Sequence, residues 1–503
     1  MKNVSIKKAR NIKELITMKN ATVRNLEPKV LWNHFAEINA IPRASKKEEQ
    51  IIAYMVSFGK GLGLETIVDP VGNVIIRKPA TPGMENRKPV VLQSHLDMVH
   101  QKNEETIFDF DTEGIKMIVD GDWVKADGTT LGADNGLGVA AIMAVLSSDG
   151  VEHPDIEALF TIDEETGMTG AQGLQAGYLH GDILLNLDTE EDDEIDIGCA
   201  GGIDVTARKT FNPEAVSVGV QAYRITVKGL QGGHSGMDIH KGFGNANKLM
   251  NQILLSLDSL IQISSLKGGS LRNAIPRESS AVVVCAENNS ETILSKSAAV
   301  FKSIKETFKT IEPKLICTIE AVDLPVNTMP RADQSNLLNA IEGAINGVFK
   351  MSNDMEDLVE ASNNIARVVV DKGAVTIACL TRSSVEESKH EVAESLKHVF
   401  EKEGFKVEFS GSYPGWSPNP DSAILKVLES LYLELYKSKP SVVACHAGLE
   451  CGILGTHYPE MDMISFGPTI KGAHSPDERA CISSTKRFWI FLQEILRNIP
   501  LKG

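Results

Sequence analysis

Short apolar segments alternate with helical patterns over the first 200 residues, and this alternation limits the possible folds more than any other feature. Residues 89–94 (PVVLQS), 156–162 (IEALFTI) and 183–187 (ILLNL) have the length and apolar character of buried strands. Residues 136–147 (GLGVAAIMAVLS) between them predict a buried helix. Such strands with helices between them predict an α/β fold with a mostly parallel sheet covered by helices on both faces.

The pattern changes near residue 200 and returns after a Pro/Gly-rich linker at 411–420. Between these points, alternating strands and helices predict one or two inserted α+β sandwiches of the split βαβ type, with a helix over 244–261. The predicted organisation is an N-terminal extension (1–26), the first part of an α/β domain (27–205), an inserted domain (206–411) and the second part of the α/β domain (412–503). Residues 45–48 (SKKE) further predict a capping box at the start of a helix.

Net charge argues against some classes of partner, and the cysteine content indicates the cellular compartment. A formal charge of −16 argues against nucleic acid and anionic membranes. No apolar run approaches the roughly 20 residues that span a bilayer, and the basic N-terminus lacks the apolar stretch of a secretory signal. The seven cysteines predict reduced thiols in a cytoplasmic protein rather than a disulfide framework.

Histidine and carboxylate residues follow the predicted buried elements. In an open α/β sheet, ligands bind beyond the carboxyl ends of the strands, so these side chains can meet in one crevice. Imidazole and carboxylate groups are common zinc ligands, and one carboxylate can bridge two metals. The candidate ligands are His95, Asp134, Glu165, Asp188 and His474.

Each of these residues also has an ordinary structural explanation. A single histidine after a strand is often a hydrogen-bonded structural residue, and an aspartate in a glycine-rich loop is often a turn residue. Adjacent Glu164 and Glu165 cannot point the same way, so one can bind metal while the other faces water. Chemistry alone leaves open which of the two does so.

Eight ordered motifs from about residue 27 onward resemble the aminoacyl-histidine dipeptidases. These are long members of the di-zinc aminoacylase, carboxypeptidase and carnosinase clan. The motifs are SHLDMV (94–99), LGADNG (131–136), DEETGMTGA (163–171), NLD (186–188), GGHSG (232–236), RNAIPRE (272–278), HAGLECG (446–452) and SFGPTIKGAHSPDE (465–478).

The resemblance implies two zinc ions per chain, with Asp134 bridging them. His95 and Asp188 would hold one ion, and Glu165 and His474 the other. Mn²⁺ or Co²⁺ would fit similar ligands.

The resemblance also assigns the groups that move the proton. It makes Glu164 the general base for a metal-bridging hydroxide and Asp97 a supporting carboxylate beside His95 or the base. A turn-capping aspartate is the alternative reading of Asp97.

The inserted segment is implied to be a lid and dimerisation domain that contributes to the site. Its His234 would stabilise the oxyanion, although a histidine within a tight glycine turn is the alternative. Arg382 would bind the free C-terminal carboxylate of the substrate, helped by Asn273 and the Gly448 backbone. A surface salt bridge is the alternative for Arg382.

The expected function is hydrolysis of dipeptides, Xaa-His and β-Ala-His among them, with broad tolerance, by a cytoplasmic homodimer. An N-acyl amino acid deacylase or a tripeptidase of the same clan is the first alternative. A non-catalytic binding paralogue is the second.

Overall fold

The computed structural model describes residues 22–503 except 354, 356 and 357. Most of the predicted N-terminal extension, residues 1–21, therefore lies outside the described residues. A 3-10 turn at Val23–Asn25 buries Val23 and precedes the first helix.

The chain divides into two compact units. The first unit comprises residues 1–198, 418–444 and 449–503, and the second comprises residues 199–417 and 445–448. The sequence-based limits at 205 and 411 stay predictions, as does the lid and dimerisation role.

An eight-stranded sheet forms the centre of the first unit. Its order is Glu65–Val68, Val74–Lys78, Ile156–Thr161, Val90–His95, Ile183–Asn186, Asp462–Ser465, Glu194–Cys199 and Ser441–Cys445. The four central strands run parallel and are almost wholly buried, whereas antiparallel strands flank them. The predicted α/β fold is confirmed, because apolar side chains on both faces require cover on both faces.

Helices cover this sheet, and their local sequences explain where they begin. The helices are Lys29–Ile38, Glu49–Gly61, Ala133–Ser147, Glu164–Gly167, Thr169–Gly173, Ala423–Tyr436, Glu450–His457 and Ile482–Arg497. The Ser422 side chain accepts the backbone N–H of Leu425 and caps the helix that follows. The capping box predicted at 45–48 is wrong. The helix begins at Glu49, no side chain caps it, and the Ser45 hydroxyl binds Asp97 instead.

A smaller four-stranded sheet holds the segment that contains His474. Its order is Ile470–Lys471, Arg479–Cys481, Trp123–Ala126 and Met117–Asp120. The first two strands flank the His474 loop and pair antiparallel to one another. This sheet is not apparent in the sequence because its strands are short and only partly buried.

The described residues of the second unit form one antiparallel nine-stranded sheet and four α-helices. The strand order is Ile316–Val322, Val220–Lys228, Ser279–Ala286, Ile261–Gly268, Val359–Asp371, Ala374–Ser383, Gly201–Thr210 and Lys406–Tyr413, and Gly347–Met351 pairs with Val359–Asp371. The helices are Ala246–Leu257, Ser290–Phe308, Arg331–Gly343 and Glu386–Lys402. The helix predicted over 244–261 ends at Leu257, and a strand begins at Ile261.

No helix among residues 22–503, apart from the three undescribed positions, combines the length and apolarity needed to cross a bilayer. All seven cysteines are free thiols, as predicted.

Candidate metal centre

Five predicted ligand side chains meet within the first unit, beyond the carboxyl ends of its parallel strands. His95 ends the strand Val90–His95, and Asp188 follows the strand Ile183–Asn186 by two residues. The nitrogen Nε2 of His95 lies 3.5 Å from an Asp188 oxygen. Glu165 follows the strand Ile156–Thr161 and stands 2.9 Å from Nε2 of His474.

Asp134 lies between the two imidazoles and offers one oxygen to each. Its Oδ1 is 3.2 Å from Nε2 of His95, and its Oδ2 is 3.1 Å from Nε2 of His474. The backbone at Asp134 is not helical (φ −79°, ψ 114°), so the carboxylate projects from a kinked first turn. The two oxygens therefore serve two different groups of ligands, as a bridging carboxylate does.

The donor set fits one or two cations. Ligand atoms of His95, Asp134 and Glu165 all lie within 4.8 Å of one another. The buried Oε1 of Glu165 has no hydrogen-bond partner among the described residues, although an unpaired buried polar atom is costly. A cation bound among these groups would satisfy this oxygen and offset the repulsion between the carboxylates.

The imidazoles respond electrostatically to the surrounding carboxylates. Burial lowers the pKa of His95, but Asp188, Asp134 and Asp97 outweigh burial and raise this pKa well above its usual value. Hydrogen bonds with Asp134 and Glu165 raise the pKa of His474 to about 11. In both cases the surrounding carboxylates favour a positive charge at this place. A bound metal ion would supply that charge.

Asp97 supports both His95 and the turn that carries the two glutamates. One of its oxygens lies 3.4 Å from Nδ1 of His95. Its carboxylate also accepts the backbone N–H groups of Glu164 and Glu165 and the Ser45 hydroxyl. Burial raises the pKa of Asp97, but the hydrogen bond and charge of His95, together with the bonds from Ser45 and Glu164, outweigh burial and lower this pKa below its usual value.

Glu164 stands beside the ligands but belongs to neither imidazole pair. Burial raises the pKa of Glu164 well above its usual value. The charge of His95 lowers this pKa but does not offset burial, and the charges of Asp188 and Glu165 raise it further. A carboxylate with a raised pKa holds a proton more readily than an exposed one does, which suits a group that accepts and returns protons.

Two residues that sequence reasoning missed hold the loop that carries Asp134. Glu478 accepts the backbone N–H groups of residues 131–134 at 2.7–3.3 Å, with both of its oxygens engaged. Buried Arg43 donates to the backbone oxygens of Gly132, Leu96 and Asp97. The motif SPDE (475–478), which directly follows His474, is the only sequence signal for Glu478.

A second missed group lies beneath the ligands. The fully buried Glu450 accepts hydrogen bonds from Gln93 at 2.6 Å and from Thr161 at 2.5 Å. Gln93 in turn accepts the Asn186 amide at 2.5 Å. Since Gln93 and Asn186 each precede a candidate ligand by two residues, this network ties together the strands that carry His95 and Asp188.

His234 belongs to the second unit and has a defined tautomer. His234 pairs with Ala274 on the neighbouring short strand. Its Nδ1 accepts the backbone N–H groups of Gly236 and Met237 at 3.3 and 3.1 Å. In the neutral ring the proton is therefore on Nε2, which makes that nitrogen a donor. The tight turn expected as an alternative is present, and it fixes the ring.

The three predicted substrate-binding residues also lie in the second unit. Arg382 is only 5% exposed and donates to the Tyr413 hydroxyl at 2.9 Å, so it is not a surface salt bridge. Asn273 is exposed beside His234, and its backbone oxygen accepts the Ser235 N–H. Gly448 ends the segment 445–448, which two backbone bonds hold to Ala200.

Imidazoles and carboxylates gathered at the ends of parallel strands define a metal-dependent hydrolase. The chain belongs to peptidase family M20/M25/M40, whose model matches residues 91–498. The predicted enzyme class, a hydrolase of peptide bonds, is thereby confirmed.

Two relatives cover nearly the whole chain. The chain is 43% identical over 481 residues to the cytosol non-specific dipeptidase of Escherichia coli (strain K12), covering 95% of this chain and 99% of the relative. It is 44% identical to the crystal structure of the aminoacylhistidine dipeptidase from Vibrio alginolyticus, with a TM-score of 0.86 and coverage of 96% and 99%. The predicted resemblance is confirmed. The chain also shares its fold with the aminopeptidase PepT from Bacillus cereus. The two are 16% identical, with a TM-score of 0.55 and coverage of 94% of this chain and 99% of that one.

Proposed function

We propose that the chain is a two-zinc dipeptidase with broad tolerance that includes Xaa-His substrates. The observation that carries this proposal is the orientation of Asp134, whose two oxygens face two different imidazoles. His95 and Asp188 would hold one ion, Glu165 and His474 the other, and Asp134 both. When bound, the two ions would supply Lewis acidity and lower the pKa of a water molecule.

Glu164 would move the proton. With its raised pKa it would take a proton from the attacking water and return it to the leaving amine. Asp97 would hold both Glu164 and His95 in position through the bonds to the Glu164 backbone and the His95 ring.

Groups of the second unit would bind the substrate. Arg382 would form a bidentate pair with the free C-terminal carboxylate, aided by Asn273 and the Gly448 backbone. The Nε2 donor of His234 would stabilise negative charge on the carbonyl oxygen. The names of the two full-length relatives, a non-specific dipeptidase and an aminoacylhistidine dipeptidase, support this substrate class.

The test is a substrate panel combined with metal analysis. The panel contains Ala-His, β-Ala-His, other dipeptides, a tripeptide and an N-acetyl amino acid. We expect cleavage of the dipeptides, two zinc ions per chain, loss of activity with a chelator and recovery on adding zinc. A purified chain that binds no divalent metal and leaves every dipeptide intact would refute the proposal, and preferential cleavage of the tripeptide or the N-acetyl compound would favour those alternative activities.

We further propose a cytoplasmic homodimer assembled through the inserted unit, which would also act as a lid. The edge strand Ile316–Val322 supports such an assembly, because an edge strand presents main-chain groups for pairing. Exposed Ile316, Leu324 and Val326 on or beside that strand add apolar surface. Analytical ultracentrifugation of the chain and of a Val326→Lys variant tests this point, since a dimer through this edge should weaken in the variant.

A further inference from the structure

Arg382 is a buried cation without a paired carboxylate. Its side chain is 5% exposed, its Nε has no hydrogen-bond partner, and no carboxylate of the described residues lies within 4.0 Å of its guanidinium. Burying an unpaired charge is costly, so such a group is normally matched by an anion. The contact found for the guanidinium is the Tyr413 hydroxyl, which accepts the Nη1 hydrogen at 2.9 Å.

Strand register explains how Tyr413 reaches Arg382. Gly202 pairs with Arg382 on one neighbouring strand and with Tyr413 on the other. A Cβ atom on Gly202 would lie 2.7 Å from the Cζ and hydroxyl oxygen of Tyr413. The tyrosine ring therefore occupies the space that a side chain at position 202 would need, and its hydroxyl crosses to the arginine.

Two further contacts hold this arrangement in place and keep the arginine charge available. Lys389, itself 1% exposed, donates to the backbone oxygen of Tyr413 at 2.7 Å. Asp204, an acid on the Gly202 strand, is paired with Arg272 at 3.0 Å. Asp204 therefore attracts Arg382 only at longer range, and the group in direct contact with the Arg382 guanidinium is a neutral phenol, which leaves its remaining N–H groups for an anionic ligand.

We propose that Tyr413 is a positioning residue that orients Arg382 and thereby determines the preference for substrates with a free C-terminal carboxylate. This inference rests on the proposed function, in which Arg382 binds that carboxylate. A neutral acceptor can align the planar guanidinium without neutralising it, whereas a carboxylate at the same place would compete with the substrate.

The experiment compares Ala-His with its C-terminal amide in the metal-loaded full chain and in the Tyr413→Phe variant. We expect KM for Ala-His to rise about tenfold, which corresponds to about 1.4 kcal/mol of binding free energy, with kcat retained. The kcat/KM for the amide should not change, because the amide has no carboxylate for Arg382 to bind. Tyr223→Phe is the matched control, since it removes a buried tyrosine hydroxyl bonded to Gln221 in the same unit and should leave both substrates unaffected.

A second variant separates positioning from a general loss of stability. Gly202→Ala should displace the ring and raise KM for Ala-His in the native background, but add nothing in the Tyr413→Phe background. Equal losses for acid and amide, or independent effects of the two substitutions, would overturn the inference while leaving dipeptidase activity established. Failure of the unsubstituted chain to cleave or bind any dipeptide would overturn the proposed function itself, and the inference with it.

Discussion

Replacing Glu478 by glutamine should loosen the loop that carries Asp134 without changing the size of the side chain. Each carboxylate oxygen accepts two backbone N–H groups from residues 131–134. The amide of glutamine keeps one acceptor oxygen and turns an NH₂ group toward the other two donors. Two buried N–H groups would therefore lose their partner.

The expected cost follows from those two donors. A buried donor left without a partner costs about 1–3 kcal/mol, so the variant should lose about 2–6 kcal/mol of stability in the loop and its surroundings. Since the loop positions the carboxylate proposed to bind both ions, part of this cost should appear as weaker zinc binding. We expect zinc affinity to fall at least about tenfold, which is about 1.4 kcal/mol.

Urea unfolding and zinc competition against a chelator measure the two effects separately. Glu157→Gln is the matched control, because Glu157 is also buried and accepts the backbone N–H groups of His180 and Gly181. Glu157 lies at the opposite end of the strand from the turn that carries Glu165. The control should lose stability but keep its zinc affinity. If Glu478→Gln bound zinc as tightly as the control did, the positioning argument would be wrong.

Three further predictions concern the same unit. Glu164→Gln should keep zinc but lower kcat by about 10²–10⁴-fold, the usual contribution of a general base, and near-normal turnover would refute this role. Burial raises the pKa of Asp196 from 3.8 to about 7, so the folded protein binds this proton more tightly than the unfolded chain does. The stability gained from that proton is lost as pH rises from about 4 to about 7. Stability should fall over this range, and Asp196→Asn should flatten the fall measured by thermal unfolding. Removing zinc with a chelator should lower Tm because the carboxylates of Asp134, Glu165 and Asp188 then repel one another, whereas an Asp134→Asn variant should show a smaller decrease.

The positions of the candidate ligands at strand ends could be predicted because local sequence carries the signal of the strands. His95 ends one wholly buried strand and Asp188 follows another, and the apolar residues at the start of each strand mark where the strand lies. Arg43 and Glu478 could not be found in this way. They bind backbone atoms 53 to 347 positions away, and a backbone N–H or C=O looks the same in every residue.

The inserted unit was harder to predict than the α/β unit. Buried and partly buried side chains are mixed along its strands, as in Ile261–Gly268, and short segments of this kind do not distinguish one continuous sheet from two. The strand Gly201–Thr210 lies between two partners that are distant in the sequence. Only long-range pairing, which local patterns do not encode, joins the nine strands into one sheet.

The ligand arrangement also has a consequence for biosynthesis. Asp134 and His474 are separated by 340 positions, and Glu478 follows only four residues after His474. A nascent chain therefore emerges from the ribosome with four of its five candidate ligands long before His474 is synthesised. Under the proposed ligand assignment, hydrolytic competence is a late event of translation, and partly synthesised chains would remain inert toward the peptides around them.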